Sequence, residues 1–358
     1  MEGRVAALET LMMPAETKLG KAMSKGKEKV GGSVAPTSHP PARVTGVAEP
    51  VESLSMNKIL ASAETTFDEF YFPYPRHTKM QIAIDKVRLH GLMAKGAPMR
   101  GIRVTGPTGS GKTTGIIEYE RHLQREGEYE AGKMPILYIR LKKKTSLTKV
   151  LKAIVAKFGD RHGGRRDDED LNEQVRSCIR KAGVQLIVLD ECQHLKNLSN
   201  DSLEVTDQFK VFLDDSIVPV VFCGTNDADP MFKANPELCG RLASPIDLVP
   251  LNRHDTTDYA LMEAFMRRLD AAMTKAELMP ALSGLDRPYQ ITCLFLASKG
   301  VIGMAYRIVR EAMLIAIARS ADYVEPYDLA LAVNTWAIPN KVCTVNPFYR
   351  ADLRHLMT

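Results

Sequence analysis

Residues 106–113 read GPTGSGKT, three glycines within six positions running into Lys-Thr, and they lie between a short apolar run, Gly101–Thr105 (GIRVT), and a stretch of helical apolar spacing that opens at Lys112. Glycines at 106, 109 and 111 let the backbone curl so that successive N–H groups converge on one point. A helix beginning at that point adds its first unpaired amides and the positive end of its dipole. A phosphate group is the occupant this arrangement suits. On this pattern Gly106, Pro107, Thr108, Gly109, Ser110, Gly111, Lys112, Thr113 and Thr114 are expected to form the cradle, with Lys112 on the β- and γ-phosphates and the Thr113 hydroxyl on Mg²⁺, so that the ligand is ATP with Mg²⁺. The required strand before the loop and helix after it also restrict the architecture to the α/β class.

The rest of the chain agrees with that restriction. Strand patterns at Pro135–Leu141 (PILYIRL), Gln185–Asp190 (QLIVLD), Val218–Gly224 (VPVVFCG) and Ile246–Leu251 (IDLVPL) alternate with helical spacing over 112–125, 146–158, 170–182 and 202–215. Five strands separated by helical crossovers predict a three-layer parallel sheet between helices. From Asp255 onward strand signals cease, and Asp255–Asp270, Pro288–Ser298, Val301–Ser320 and Pro326–Ala337 carry helical spacing, which predicts a small all-helical lid domain. The expected organisation is an arm over 1–65, a core over 66–252, a lid over 253–338 and a tail over 339–358. The arm is assigned from its Lys, Gly, Ser and Pro content between Lys18 and Pro50. In the tail, NPFYR offers Phe348 and Tyr349 either as anchors for a partner or as groups that fold back on the lid.

A second acidic element supports the phosphate site. LIVLDE ends a buried strand in Asp190 and Glu191, and two adjacent acids there are unfavourable unless they are used. Asp190 is placed to hold the hydration shell of Mg²⁺ and Glu191 to polarise the attacking water. Asn226, just past the fourth strand, can sense the γ-phosphate or simply form a turn. Arg241 in NPELCGRLAS is a candidate for stabilising transition-state charge in a neighbouring copy's site, and Arg253 in LNRHD competes with it. On the lid, Arg307 is the favoured arginine to fold over the nucleotide, with Arg310 three residues away on the same face.

Composition excludes some classes and leaves others open. A hydrophobic share of 45% and a charged share of 25% exclude a disordered or collagen-like chain. The balance of 48 Lys and Arg against 43 Asp and Glu, net +5, allows an anionic partner without demanding one. A local basic run does more: Lys142, Lys143, Lys144 and Thr145, directly after the second strand, could contact the backbone of double-stranded DNA, the alternative being a solvated strand exit. The loop with Arg161, Arg165 and Arg166 is partly neutralised by the DDED that follows. Six dispersed cysteines without a C-x-x-C pair read as reduced core thiols, and no unbroken apolar run reaches the length of a membrane span. The reading is a cytoplasmic protein with no membrane partner.

Taken together, GPTGSGKT, LIVLDE, the Asn226 turn, Arg241 and the helical lid with Arg307 resemble an AAA+ ATPase module over about residues 70–335. Within that class, YPRHTKMQIAIDKVRLHGL, LIVLDECQHL and KGVIGMAYRIVREAM are similar to the TniB/TnsC family of transposon ATPases, related to MuB, which regulate where a DDE transposase inserts DNA. The resemblance implies an ATP-hydrolysing regulator of DNA transposition that assembles with itself into a ring or helical filament on duplex target DNA. It further implies partnership with a transposase and a target selector such as a TniQ-like adaptor, and gives Arg241 and Arg307 the trans-acting and lid roles. The competing expectation is an AAA+ ATPase that switches a protein partner without binding DNA.

Overall fold

The computed structural model describes residues 50–94, 96–130, 132–143, 145–159, 168–195 and 200–356. The Lys/Gly/Pro-rich segment up to residue 49, Lys144 and the loop containing Arg161, Arg165 and Arg166 lie outside the described residues. Everything below concerns the single compact unit Pro50–Thr358.

Five parallel strands form one sheet: β1 (Ile102–Thr105), β2 (Ile136–Arg140), β3 (Leu186–Asp190), β4 (Val220–Gly224) and β5 (Ile246–Asp247), in the order β2-β3-β4-β1-β5. The central strands β3 and β4 are buried at all five positions, as parallel strands covered on both faces must be. Alternation divides their side chains between two cores. Leu137, Ile139, Ile187, Leu189, Val220 and Phe222 face one layer of helices: α4 (Leu147–Lys157), α5 (Asp168–Ala182), α6 (Asn200–Asp214), α7 (Asp229–Ala234) and α8 (Pro236–Gly240). Val104, Ile136, Leu186, Val188, Val221 and Cys223 face Met80 and Ile84 of α2 (Pro75–Met93) and Ile116 and Tyr119 of α3 (Lys112–Arg125). The expected three-layer α/β core is therefore the observed one.

The fifth strand is shorter than its pattern suggests. β5 pairs only through Val104↔Ile246 and Thr105↔Asp247, because β1 ends at Thr105 where the glycine loop turns away. Leu248 N–H reaches Thr105 O at 2.8 Å, and Leu251 N–H reaches Gly300 O at 2.8 Å, which carries the chain from the sheet to the lid.

The lid comprises α9 (Thr256–Lys275), α10 (Pro288–Ser298), α11 (Ile302–Ala318) and α12 (Pro326–Ala332), the last widening into a π turn over Val333–Ala337. Met266, Leu269, Leu294, Ile308, Val309, Met313 and Leu329 form its core. Asp255 caps α9 by accepting from the N–H groups of Thr257 (2.8 Å) and Asp258 (3.0 Å).

Two boundaries need correction. The arm expected to reach residue 65 gives way at Pro50 to α1 (Pro50–Asp68). Ala63 and Phe67, four residues apart on one helical face, are buried in the lid core, so the polar surroundings of this stretch conceal an anchoring stripe. The tail expected over 339–358 also folds back. Phe348 is buried, the Tyr289 hydroxyl donates to its carbonyl at 2.9 Å, and Asn346 donates to Ala330 O and Asn334 Oδ1, both at 2.8 Å. Of the two tail aromatics only Tyr349 stays exposed. No described helix is long and apolar enough to cross a membrane.

A buried carboxylate organises the lid loop: Asp270 accepts from the N–H groups of Ser283 (2.9 Å), Gly284 (2.7 Å) and Leu285 (3.3 Å). Asp270→Ala leaves these amides unpaired in the interior and is expected to lower the unfolding free energy by about 3 kcal/mol, read as a lower urea midpoint at unchanged slope.

Candidate functional site

All five strands run in the same direction, so β1, β3 and β4 deliver their following residues to one edge of the sheet. A cavity of about 470 Å³ opens there, walled by the glycine loop, the ends of β3 and β4, the aromatic segment 70–74 and the first turns of α11.

The loop is held by close approaches that only glycine permits. Gly109 and Gly111 both have φ near +83°, the left-handed region. A Cβ on Gly111 would collide with the imidazole of His77. Gly303, on the first turn of α11, lies so close to the Gly109 carbonyl that it too has no room for a Cβ. The lid helix and the loop therefore meet backbone to backbone.

Lys112 is buried, and its ammonium donates to Gly106 O (2.8 Å), Pro107 O (3.0 Å) and Ser110 Oγ (3.3 Å). Burial pushes its pKa below the ordinary lysine value, against the upward pull of the Cys223, Asp190 and Glu191 side chains. Beside it, Thr113 Oγ1 donates to Asp190 Oδ2 at 2.9 Å, and the Glu191 N–H donates to Asp190 Oδ1 at 2.8 Å. Glu191 has φ +63°, a strained backbone for a side chain of this size. Its carboxylate is met by Arg140 Nη2 at 3.0 Å and by a short hydrogen bond from Gln193 Nε2. Gln193 Oε1 in turn accepts from Thr225 N–H at 3.1 Å, so Glu191 is tied to the end of β4 through one glutamine.

The expected residues separate into groups. Thr108, Gly109, Ser110, Gly111, Lys112, Thr113, Thr114, Asp190, Glu191 and Arg307 all line the cavity, while Gly106 and Pro107 supply carbonyls to Lys112 behind it. Arg307 is exposed and makes no ion pair among the described residues, whereas Arg310 is engaged by Glu64 (3.3 Å), Asp68 (3.3 Å) and Glu311 (2.9 Å). Asn226 is exposed and off the cavity wall, where its neighbour Thr225 stands with a buried hydroxyl that finds no partner. Arg241 is away from the cavity: its carbonyl accepts from Gly101 N–H, at the opposite edge of the sheet, and its side chain pairs with Asp214. Arg253 is exposed and donates to His254 Nε2 at 3.1 Å. Lys142 and Lys143 are exposed on the turn after β2, while Thr145 is buried and uses its hydroxyl on the Lys142 backbone, closing that turn.

Sequence reasoning missed His77, Tyr138, Arg140 and Gln193, and placed Thr225 at this edge of the sheet while giving the role to its neighbour Asn226. Tyr138 and Arg140 were visible as polar residues two apart in PILYIRL, on one face of a strand. His77 had no such signal. It lies under the loop, hydrogen-bonded through Nε2 to Ser110 O at 3.1 Å and packed against the rings of Tyr71 and Tyr74.

The family model "Bacterial TniB protein" matches residues 72–252, about half of the chain, a span that contains the loop, the acidic pair and all five strands. The chain belongs to the TniB family. The fold of this TniB-family chain is also found in solved structures. The ORC2 protein of Aeropyrum pernix, solved as ADPNP-ADP complexes, aligns at TM-score 0.56 and 17% identity over 75% of this chain and 71% of its own. The ORC1 protein of the same organism, solved in complex with DNA, aligns at TM-score 0.56 and 18% identity over 75% and 68%. Cdc6p of Pyrobaculum aerophilum aligns at TM-score 0.51 and 15% identity over 75% and 70%. At such identities the likeness establishes a shared fold. Comparison with curated protein sequences finds no match.

Burial lowers the His77 pKa below the ordinary imidazole value, its bond to Ser110 opposing the shift. The unfolded chain therefore takes up this proton more readily than the folded one. Stability present above the unfolded value of about 6.5 is lost as the pH falls toward the lowered folded value. Urea midpoints measured between about pH 7 and pH 5 are expected to fall less steeply for His77→Gln than for the parent; parallel slopes would clear His77 of this role.

Proposed function

We propose that this chain binds ATP with Mg²⁺ in the cavity at the sheet edge, hydrolyses it, and assembles on duplex DNA as a regulator of transposition. The observation that carries the reading is the convergence of Lys112, Thr113, Asp190 and Glu191, from two separate segments, on one cavity wall.

The donor set fits the ligand. The three oxygens around the Lys112 ammonium are uncharged, so phosphate oxygens in the cavity, stronger acceptors because they are charged, would compete with them for it. A hydroxyl and a carboxylate in contact suit Mg²⁺, which takes one or two protein oxygens and completes its shell with phosphate and water. When bound, Mg²⁺ would neutralise charge on the β- and γ-phosphates. Thr113 and Asp190 would hold it, and the aromatic segment 70–74 with Phe265 and Tyr306 would screen the cavity from water.

Glu191 is the group to take the proton from the attacking water. To do so it must leave Arg140 and Gln193, and exposure makes this feasible: the Arg140 side chain is 70% exposed, and ion pairs of that kind are worth about 1 kcal/mol or less. Arg307 is free to swing onto the phosphates. Arg241 is the proposed arginine for a neighbouring copy's site, its distance from its own cavity being what such a role requires; Arg253 is its competitor. In place of Asn226, Thr225 is the residue whose position favours sensing the γ-phosphate. Lys142 and Lys143 present exposed charge to the DNA backbone, with a transposase and a TniQ-like adaptor as the proposed further partners.

Glu191→Gln is expected to reduce ATP turnover at least about 100-fold while leaving binding of a fluorescent ATP analogue intact; undiminished turnover would reassign the base. Reversing Lys142 and Lys143 to Glu should reduce the salt slope of duplex binding by roughly 2 with ATP affinity unchanged. A parent protein that retains no duplex at any ATP concentration would instead favour the protein-switching alternative.

A further inference from the structure

Strand β2 contributes to the site through a residue outside the motifs that mark it. Tyr138 lies on the face of β2 shared by Ile136 and Arg140, and the parallel register Tyr138↔Val188, Arg140↔Asp190 brings its ring beneath the end of β3. Its hydroxyl makes a short hydrogen bond to Asp190 Oδ2, the same oxygen that accepts from Thr113 Oγ1 at 2.9 Å. The other carboxylate oxygen accepts from Glu191 N–H at 2.8 Å.

A carboxylate offers about four lone-pair directions. Three are taken, two on Oδ2 by Thr113 and Tyr138 and one on Oδ1 by the Glu191 amide, and one is left on a residue that lines the cavity. Thr113 can turn an oxygen lone pair toward a cation while its proton remains on Asp190. Without Tyr138, only that mobile hydroxyl and one backbone amide would orient the carboxylate.

We propose that Tyr138 is a positioning residue, which fixes the Asp190 carboxylate so that its remaining lone pair supports the divalent cation of the nucleotide site. This rests on the reading of the cavity as a Mg²⁺–ATP site. Tyr138 does not touch the cation; it acts through Asp190. Outer partners of metal-holding groups act in this way, by restricting orientation.

Tyr138→Phe removes the hydroxyl and keeps the ring. Mg²⁺ is titrated into parent and variant full-length protein in the presence of a fluorescent ATP analogue, and binding of the same analogue is measured in EDTA. The expected result is a half-saturating Mg²⁺ concentration about tenfold higher in the variant, with equal binding in EDTA. In an Asp190→Ala background the same substitution should add no further shift. Equal Mg²⁺ midpoints in parent and variant would overturn the role of Tyr138 while leaving the nucleotide site standing. A weakening as large in EDTA as in Mg²⁺, or one that persists without Asp190, would also overturn it, since the hydroxyl would then be supporting the fold. A parent that shows no Mg²⁺-dependent binding would overturn both readings together.

Discussion

The hydrogen bond between Thr113 and Asp190 joins two segments that the sheet holds apart. β4 lies between β1 and β3, so the loop leaving β1 must pass over the end of β4 before α3 can bring Thr113 to Asp190. Gly224 ends β4 at that crossing, and a Cβ there would come within 2.8 Å of Gln193 Oε1. Crossovers from β1 and β4 also diverge at this point, to β2 on one side and β5 on the other, which opens a crevice at the carboxyl edge. The cavity thus follows from strand order, and its charged lining from which residues end each strand.

The lid adds the second half of the cavity by an equally restrictive contact. Gly303 against the Gly109 carbonyl fixes the approach of α11 to the loop, and the Leu251–Gly300 hydrogen bond ties the end of the core to the turn before that helix. α1 reinforces the closed arrangement from outside, with Phe67 buried in the lid and Asp68 and Glu64 holding Arg310. Arg310 is thereby engaged in maintaining the lid, which leaves Arg307 as the arginine on the cavity wall without a partner among the described residues.

β2 links several parts of the site that the motifs treat separately. Tyr138 reaches Asp190, Arg140 reaches Glu191, and the strand then exits into the turn that exposes Lys142 and Lys143. Glu191 is doubly constrained, by a left-handed backbone and by Arg140 of β2 together with Gln193 just past β3, so its carboxylate is occupied.

GPTGSGKT and LIVLDE were legible because each is a local pattern: glycine placement dictates loop conformation, and apolar runs of strand length dictate burial. The parallel sheet and the loop residues on the cavity wall follow from such patterns, as the helical domain does from the apolar spacing after Asp255. Position along the chain does not encode distance across it, so His77 under the loop and the Gln193 bridge to Thr225 emerged only when α2 packed beneath the loop and β3 paired with β4. The same holds for the place of Thr225, rather than Asn226, on the cavity wall, and for α1 and the returning C-terminal segment, whose few apolar anchors have meaning only against the lid core. What the sequence alone determined was the kind of chemistry this chain can house. Which side chains share that chemistry was decided by strand register and helix packing, because those interactions act between residues far apart in the chain.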